Sequence, residues 1–438
     1  MVIGQTNNIT IISLLFSLSI LSLLLLINLQ PINANSQQGQ KKRRQRPKLQ
    51  STNHDTNVAI LLSSSTFFHN YRHTTNTLAF YHSLKKNGGY TDDNIILFLG
   101  DEVACNARNP FKGKVYPYPN HNVNLFSDST GTSCSSSNYR NDENGDDYYD
   151  ENEQRFYNFS EDDVQVDYSG SDVTVENFFR VLLGRHAKHT PKHKKLPMDR
   201  NRNIHTTDSK LKQEDDNNTD NAETGKTNLL IYITGHGGDN FFKFRDQEDI
   251  STNDLRAVFE QMKVMDRFHS ILFISDTCQA FTLTPNTKEL EEQNNGGGSG
   301  DDNISLENVY AIGTSLKDES SYAHHSDPTI GHSVMDRYMH FLLEYMGGGD
   351  LKSRSKGSSD KKYSIWSKMN QTSVKEALVD SMYYQNGSHG SKLGADVGYT
   401  DLGCDVKMQH VPLSDFFEMK QRKIDDAALI LDQVDFWS

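Results

Sequence analysis

LLIYITGHGGD at residues 229–239 and ILFISDTCQA at residues 271–280 are two apolar runs that each end in a polar turn, and their reading decides the fold. Each run is continuous rather than alternating, the pattern of a strand covered on both faces in a parallel sheet. Three more runs of this kind occur: VAILL at 58–62, IILFL at 95–99 and VYAI at 309–312. Helical spacing falls between them. Val175, Phe178, Phe179 and Leu182 follow the i, i+3, i+4, i+7 pattern, as do Leu255, Val258, Phe259 and Met262, which a capping box at Ser251 and Asp254 precedes. Strands alternating with helices predict a three-layer α/β/α sandwich around a mostly parallel sheet.

In an open parallel sheet, ligands gather beyond the carboxyl ends of the strands. The turn after the first run holds His236, and the turn after the second holds Cys278. One crossover helix separates the runs. As neighbouring parallel strands they would lie about 4.8 Å apart, and a right-handed crossover puts both ends on one edge of the sheet. His236 and Cys278 are then expected to face each other, which is what a thiol nucleophile needs, since an adjacent imidazole can take its proton. The glycines beside His236 let backbone approach a substrate, and the N–H groups of Gly237 and Cys278 are candidates for an oxyanion hole. Taken singly, each residue has an ordinary reading, a small core thiol and a loop histidine. Their placement at corresponding strand ends points to a dyad.

Around this framework the chain of 438 residues is polar. Hydrophobic residues make up 35%, and counting Gly in place of Tyr raises this only to about 37%, against roughly 45–50% for an average globular chain. Low-complexity stretches near 117–163, 186–227, 290–303 and 347–362 account for the deficit and are expected to be disordered insertions in the fold. Residues 141–167 hold eleven acids and one base, the pattern of a solvated loop. The net charge of −13 excludes a nucleic-acid binder that relies on a basic footprint. Four cysteines are too few for a disulfide scaffold.

Residues 9–29 are apolar without a charge, the length of a signal-peptide core or of a membrane-spanning helix. Ile32, Asn33 and Ala34 supply a cleavage site, whereas KKRRQR at 41–46 would hold an uncleaved segment with its basic side in the cytosol. Sequons at Asn158, Asn217, Asn303, Asn370 and Asn386 point to a lumen. The expected organisation is a signal peptide or uncleaved anchor over 1–34, a basic linker over 35–56, a catalytic domain over 57–424, and a tail over 425–438 with no membrane-spanning helix.

At these residues the sequence resembles the caspase-like cysteine peptidases of the legumain clan, and it is most similar to their GPI-transamidase branch. The segments that carry the likeness include NYRH (70–73), ACNARNP (104–110), TGHGG (234–238), DTCQ (276–279) and DPTIGHSVMDRY (327–338). TGHGG or DTCQ alone would leave legumain open, and the other segments favour the transamidase branch. The resemblance implies a caspase-like fold, with Cys278 as nucleophile, His236 as base and acid, and Asn70 as the residue that orients the imidazole; a turn-capping Asn70 is the ordinary alternative. It implies that Cys105 forms a disulfide to another subunit, which agrees with an odd cysteine left over once Cys278 is set aside. Whether Cys134 pairs with Cys404 stays open. It further suggests a structural calcium at Asp92, the Ile95 carbonyl, Gln165 and Asp167, although Gln165 stands where a carboxylate is expected.

The activity implied is transfer of a secretory precursor, cut at its C-terminal signal, through a Cys thioester to the ethanolamine amine of a GPI lipid. The expected partners are the other subunits of the complex, the precursors and the lipid, with no nucleic acid. The expected place is the endoplasmic reticulum lumen, with membrane attachment through partner subunits. No cofactor is expected for catalysis. A legumain-like endopeptidase and an inactive scaffold are the alternatives.

Overall fold

The computed structural model describes residues 48–51, 54–121, 123–126, 164–200, 227–284, 306–346, 365–384, 390–401 and 403–418. The apolar segment at 9–29, the basic run at 41–46, Cys134, four of the sequons (Asn158, Asn217, Asn303 and Asn386) and the tail from 425 lie outside them. Strands run in chain order as β1 Thr56–Ser63, β2 Ile95–Leu99, β3 Tyr168–Ser169, β4 Thr227–Thr234, β5 Gly237–Gly238, β6 Phe241–Phe244, β7 Glu248–Ser251, β8 Ser270–Asp276, β9 Val309–Gly313, β10 Ala323–Asp327, β11 His332–Asp336 and β12 Gly398–Thr400. The long helices are α1 Tyr71–Gly88, α2 Val175–Leu183, α3 Thr252–Val264 and α4 Arg337–Met346.

Seven strands form the central sheet in the order β12–β9–β8–β4–β1–β2–β3. All pairings are parallel except β12 with β9. From β1 the chain first adds strands on one side (β2, β3) and then on the other (β4, β8, β9), so the order reverses between β1 and β4, where parallel sheets open a crevice.

The continuous apolar runs follow from coverage on both faces. Val58, Ile60, Leu62, Leu229, Ile231 and Phe273 pack with Phe178, Leu182, Leu255 and Phe259 of α2 and α3. Ala59, Leu61, Leu230, Tyr232, Leu272 and Ile274 pack with Leu78, Phe80, Met339 and Leu342 of α1 and α4. Each fully buried large side chain contributes about 1.5–3 kcal/mol. The expected capping box opens α3: Ser251 accepts from the Asp254 N–H, and the Asp254 carboxylate accepts from the Ser251 N–H at 2.9 Å. The α/β/α sandwich with a mostly parallel sheet is the architecture the sequence predicts.

Two expected insertions are shorter than their composition suggests. The one near 117–163 begins inside the fold, with Leu125 fully buried in the core and its N–H donating to the Val115 carbonyl at 2.8 Å. Residues 186–200 pack onto the domain, with Leu196 and Asp199 buried. The reason is Arg267, the largest fully buried side chain, which needs a counter-charge. Its Nη1 and Nη2 donate to the two Asp199 carboxylate oxygens at 2.9 and 2.8 Å, and Nε donates to the Leu182 carbonyl at 2.7 Å. Burial alone would raise the Asp199 pKa, but the Arg267 bonds and the nearby His186 hold it at about 2. Asp199→Ala leaves the guanidinium buried without its charge partner and is expected to cost about 3–5 kcal/mol in denaturant unfolding. The depressed carboxyl also makes its share of stability fully present above about pH 4 and lost as pH falls toward 2.

Candidate active site

The β4–β8 register pairs Thr234 with Asp276, so His236 and Cys278 each stand two residues beyond neighbouring strand ends on one edge of the sheet. β1 ends on the same edge, with Ser63 paired to Thr234. Seven residues on, Asn70 closes a short turn at Phe68–Asn70.

Each loop is fixed by its own bonds. The His236 carbonyl accepts from the Lys243 N–H at 2.9 Å, which ties it to the small β5–β6–β7 sheet. Gly237 packs against Thr277, and a Cβ there would lie 2.7 Å from the Thr277 hydroxyl, so glycine lets the histidine loop close on the cysteine loop. After Cys278 the chain turns sharply, with Gln279 left-handed at φ 52. The Gln279 N–H donates to the Glu319 carbonyl at 2.9 Å, and its side-chain oxygen accepts from the Asp318 N–H at 3.1 Å. The Thr282 hydroxyl accepts from the Asn240 N–H at 2.8 Å and lies 2.7 Å from the Gln279 carbonyl, joining the two loops. Cys278 itself is a half-buried free thiol.

Asn70 makes no side-chain cap bond. Its Nδ2 donates to the Thr66 carbonyl at 2.7 Å, and its Oδ1 lies 2.9 Å from His236 Nε2. An amide oxygen only accepts, so Nε2 carries the hydrogen and the lone pair of the neutral ring is on Nδ1. The turn that delivers Asn70 includes Phe67 at φ 71, ψ 142, an exposed residue in a conformation that costs on the order of 1–3 kcal/mol. The Phe67 carbonyl accepts from the Asn70 N–H at 3.0 Å.

Behind the imidazole lies a buried polar cluster. His73 meets His236 edge-on at 5.3 Å and bonds Ser65 Oγ through Nδ1 at 2.8 Å. Asp336 accepts from Arg72 Nε at 3.0 Å and from Asn76 Nδ2 at 2.7 Å. Asp276 accepts from the Tyr232 hydroxyl at 3.0 Å and the Thr314 hydroxyl at 2.9 Å. Burial raises the pKa of both carboxyls; repulsion from Asp336 adds to the rise at Asp276, and Arg72 opposes it at Asp336. Arg72, His73, Asp276 and Asp336 all stand in the quoted motifs, yet the sequence assigns them no role. Their signal is the crowding of charge beside Asn70 and Cys278.

Burial, and then the Arg72 charge, lower the His236 pKa below the ordinary 6.5. A neutral imidazole is the form that takes a proton, so activity should persist below pH 6.5 and fall only as His236 is protonated. Arg72→Gln removes one lowering influence and should move the acid limb of kcat/KM to higher pH. A limb that does not move would separate Arg72 from the histidine.

Three of the calcium candidates gather around Tyr81, whose hydroxyl donates to Asp92 and accepts from the Gln165 N–H at 3.1 Å, with Asp167 bonded to Gln165. Asp92 opens the short turn that leads into Ile95 at the start of β2. Gln165 Nε2 donates to Asp167 Oδ1 at 2.9 Å, and the Leu97 N–H donates to Asp167 Oδ2 at 2.9 Å. Burial raises the Asp167 carboxyl to about 8, with Asp92 adding to the rise. However, Lys85 Nζ sits 2.9 and 3.0 Å from the two Asp92 oxygens and already supplies it a positive charge. With both carboxylates bidentate the four candidates offer six oxygens, the lower limit for calcium, and Lys85 already engages the two of Asp92. As arranged, these residues do not fit the ion.

Cys105 is disulfide-bonded, to a partner outside the described residues, while Cys278 and Cys404 are free. Cys404 therefore does not pair with Cys134. No helix among the described residues is long and apolar enough to cross a membrane.

The Peptidase C13 family matches residues 57–206 and 212–386. A protein named GPI-anchor transamidase from Saccharomyces cerevisiae is 33% identical over 371 residues, covering 84% of this chain and 66% of the relative. Proteins of the same name from Mus musculus and Homo sapiens are each 34% identical over 293 residues, covering 67% of this chain and 55% of theirs. The chain thus spans between about half and two thirds of the length of these relatives. A solved structure of caspase-1 from Spodoptera frugiperda overlaps 45% of this chain and 67% of its own at 11% identity with a TM-score of 0.25, too slight a likeness to bear on the fold.

Proposed function

This chain belongs to the Peptidase C13 family, and on that footing we propose that it is the catalytic subunit of a GPI-anchor transamidase, with Cys278 as nucleophile and His236 as general base and acid. The observation that carries the reading is the Asn70 Oδ1 to His236 Nε2 bond, which leaves Nδ1 as the basic nitrogen of a residue that shares its sheet edge with Cys278. The names of the relatives supply the second half of the reaction.

Nδ1 takes the thiol proton as sulfur attacks the carbonyl of a small residue near the precursor's C-terminus. The Gly237 and Cys278 N–H groups receive the developing oxyanion. Collapse breaks the C–N bond, and the amine of the departing signal peptide leaves with the proton from His236. The ethanolamine amine of a GPI lipid then attacks the thioester and loses a proton to His236. An amide forms, and the thiol recovers its proton. A hydrolase shares the first half and differs in admitting water to the thioester.

The substrates are secretory precursors with a C-terminal GPI signal, met in the endoplasmic reticulum lumen. Partner subunits hold the protein at the membrane, and one of them forms a disulfide with Cys105. A thiol and an imidazole need no cofactor for this chemistry. A structural calcium at Asp92, the Ile95 carbonyl, Gln165 and Asp167 would first require Lys85 to leave Asp92.

The test uses microsomes from cells lacking their own catalytic subunit, supplied with the full chain, a precursor reporter and hydrazine. A hydrazide at the new C-terminus that depends on Cys278 supports an amine-accepting thioester enzyme. A free acid that depends on Cys278 identifies a hydrolase instead.

A further inference from the structure

Away from the dyad, three imidazoles meet where β10 passes α4. His324 and His325 are adjacent on β10, and His340 is on α4. One ring nitrogen of each lies within 4.8 Å of the other two. His325 Nε2 is 2.9 Å from the Pro117 carbonyl, which can only accept, so Nε2 carries the hydrogen and Nδ1 the lone pair. A ring N–H held by a backbone carbonyl is how metal-binding histidines are oriented. The freed His325 Nδ1 points at His324 Nδ1, 2.5 Å away, closer than an ordinary N–H to N bond allows. His340 stacks on His324 with ring centres 3.6 Å apart, and its buried Nδ1 has no hydrogen-bond partner among the described residues. Tyr118 closes the other side, stacked on His325 at 5.1 Å and edge-on to His340 at 6.1 Å.

Crowded imidazole nitrogens, one with its tautomer fixed and one buried without a partner, are a donor set short of a cation. We propose that His324, His325 and His340 bind one divalent transition-metal ion of the zinc class, through three ring nitrogens with the fourth position open to water. Zinc sits about 2.0–2.1 Å from imidazole nitrogen. Stacked rings aim their lone pairs side by side, so the exposed His324 ring turns out of its stack on His340 for the three nitrogens to converge on a shared ion. The consequence reaches the active site. β10 pairs with β11, whose last residue, Asp336, holds Arg72 and Asn76, and α4 begins at the next residue. An ion joining β10 to α4 fastens this hairpin and, through it, the carboxylate behind His236.

The experiment uses the full chain with Cys278→Ala, so that the reactive thiol is not a competing ligand. The protein is stripped with a chelator, dialysed against micromolar Zn²⁺ at pH 7.5, and its metal measured by plasma mass spectrometry. One ion per chain is expected. His340→Gln and His324→Ala should each weaken it by more than the roughly 10–100-fold lost when only an outer partner of a metal ligand is changed. His324 is exposed, so its variant should fold even if His340→Gln does not, and a melting curve of the stripped form checks this. Co²⁺ in place of zinc should give visible d–d bands without sulfur charge-transfer bands. Failure of the parent to bind zinc, equal binding by the His324→Ala variant, or thiolate bands with Co²⁺ would each overturn the proposal.

Discussion

Cys278→Ala and His236→Ala are each expected to lower precursor processing by about 10⁵–10⁶-fold, and the double variant by no more than either alone. Members of a nucleophile–base unit are grossly non-additive, because removing one makes the other useless for the same step. The two side chains lie in the turns that follow separate strands, β8 and β4, held in register by the Thr234 and Asp276 pairing. Neither is part of the hydrophobic core, so both variants should keep the melting temperature and the complex assembly of the parent. Effects that multiply in the double variant, or substantial residual activity in either single one, would show that the two residues do not act in one step.

The second large effect belongs to Asn70. Asn70→Ala removes the acceptor for His236 Nε2–H, frees the ring to rotate or change tautomer, and should lower kcat by about 10²–10⁴-fold with little change in KM. The upper end is the loss seen when a histidine base is held in the wrong tautomer. Asn70→Asp keeps an acceptor but adds a charge 2.9 Å from the ring. It should recover much of the rate and raise the His236 pKa, moving the acid limb upward. Asn70→Ala changing stability but not kcat would reduce Asn70 to a turn residue.

The sheet was legible in the sequence because its strands are covered on both faces and so read as unbroken apolar runs. α3 was legible because a capping box and a regular stripe coincide at Ser251 and Leu255. α1 was not. His73, Thr74, Thr75, Asn76 and Thr77 lie buried in it, and their polarity hides the apolar period. They are polar because that end of the helix faces the site, where Asn76 holds Asp336 and His73 backs His236. The β5–β6–β7 excursion after His236 was also missed. Its strands are two to four residues long and turn through Asn240, Arg245 and Asp246, all at positive φ, where no Gly or Pro marks the turns.

Cys278 and His236 could be found from placement after two strands. Asp276 and Asp336 could not, because an acid in a sequence reads as solvated, and only packing shows it buried with a partner. The low-complexity reading of 186–200 failed for a similar reason: the buried counter-charge for Arg267 comes from a stretch that looks like loop.

The central claim is that the acyl group passes through a thioester on Cys278. Its most direct measurement is peptide mapping by mass spectrometry after acid quench of the full chain turning over a precursor reporter in microsomes. A precursor-derived acyl adduct is expected on the Cys278 peptide, released by neutral hydroxylamine and absent from Cys278→Ala. Product formed at the normal rate with no adduct on Cys278, or with the adduct on another residue, would contradict it.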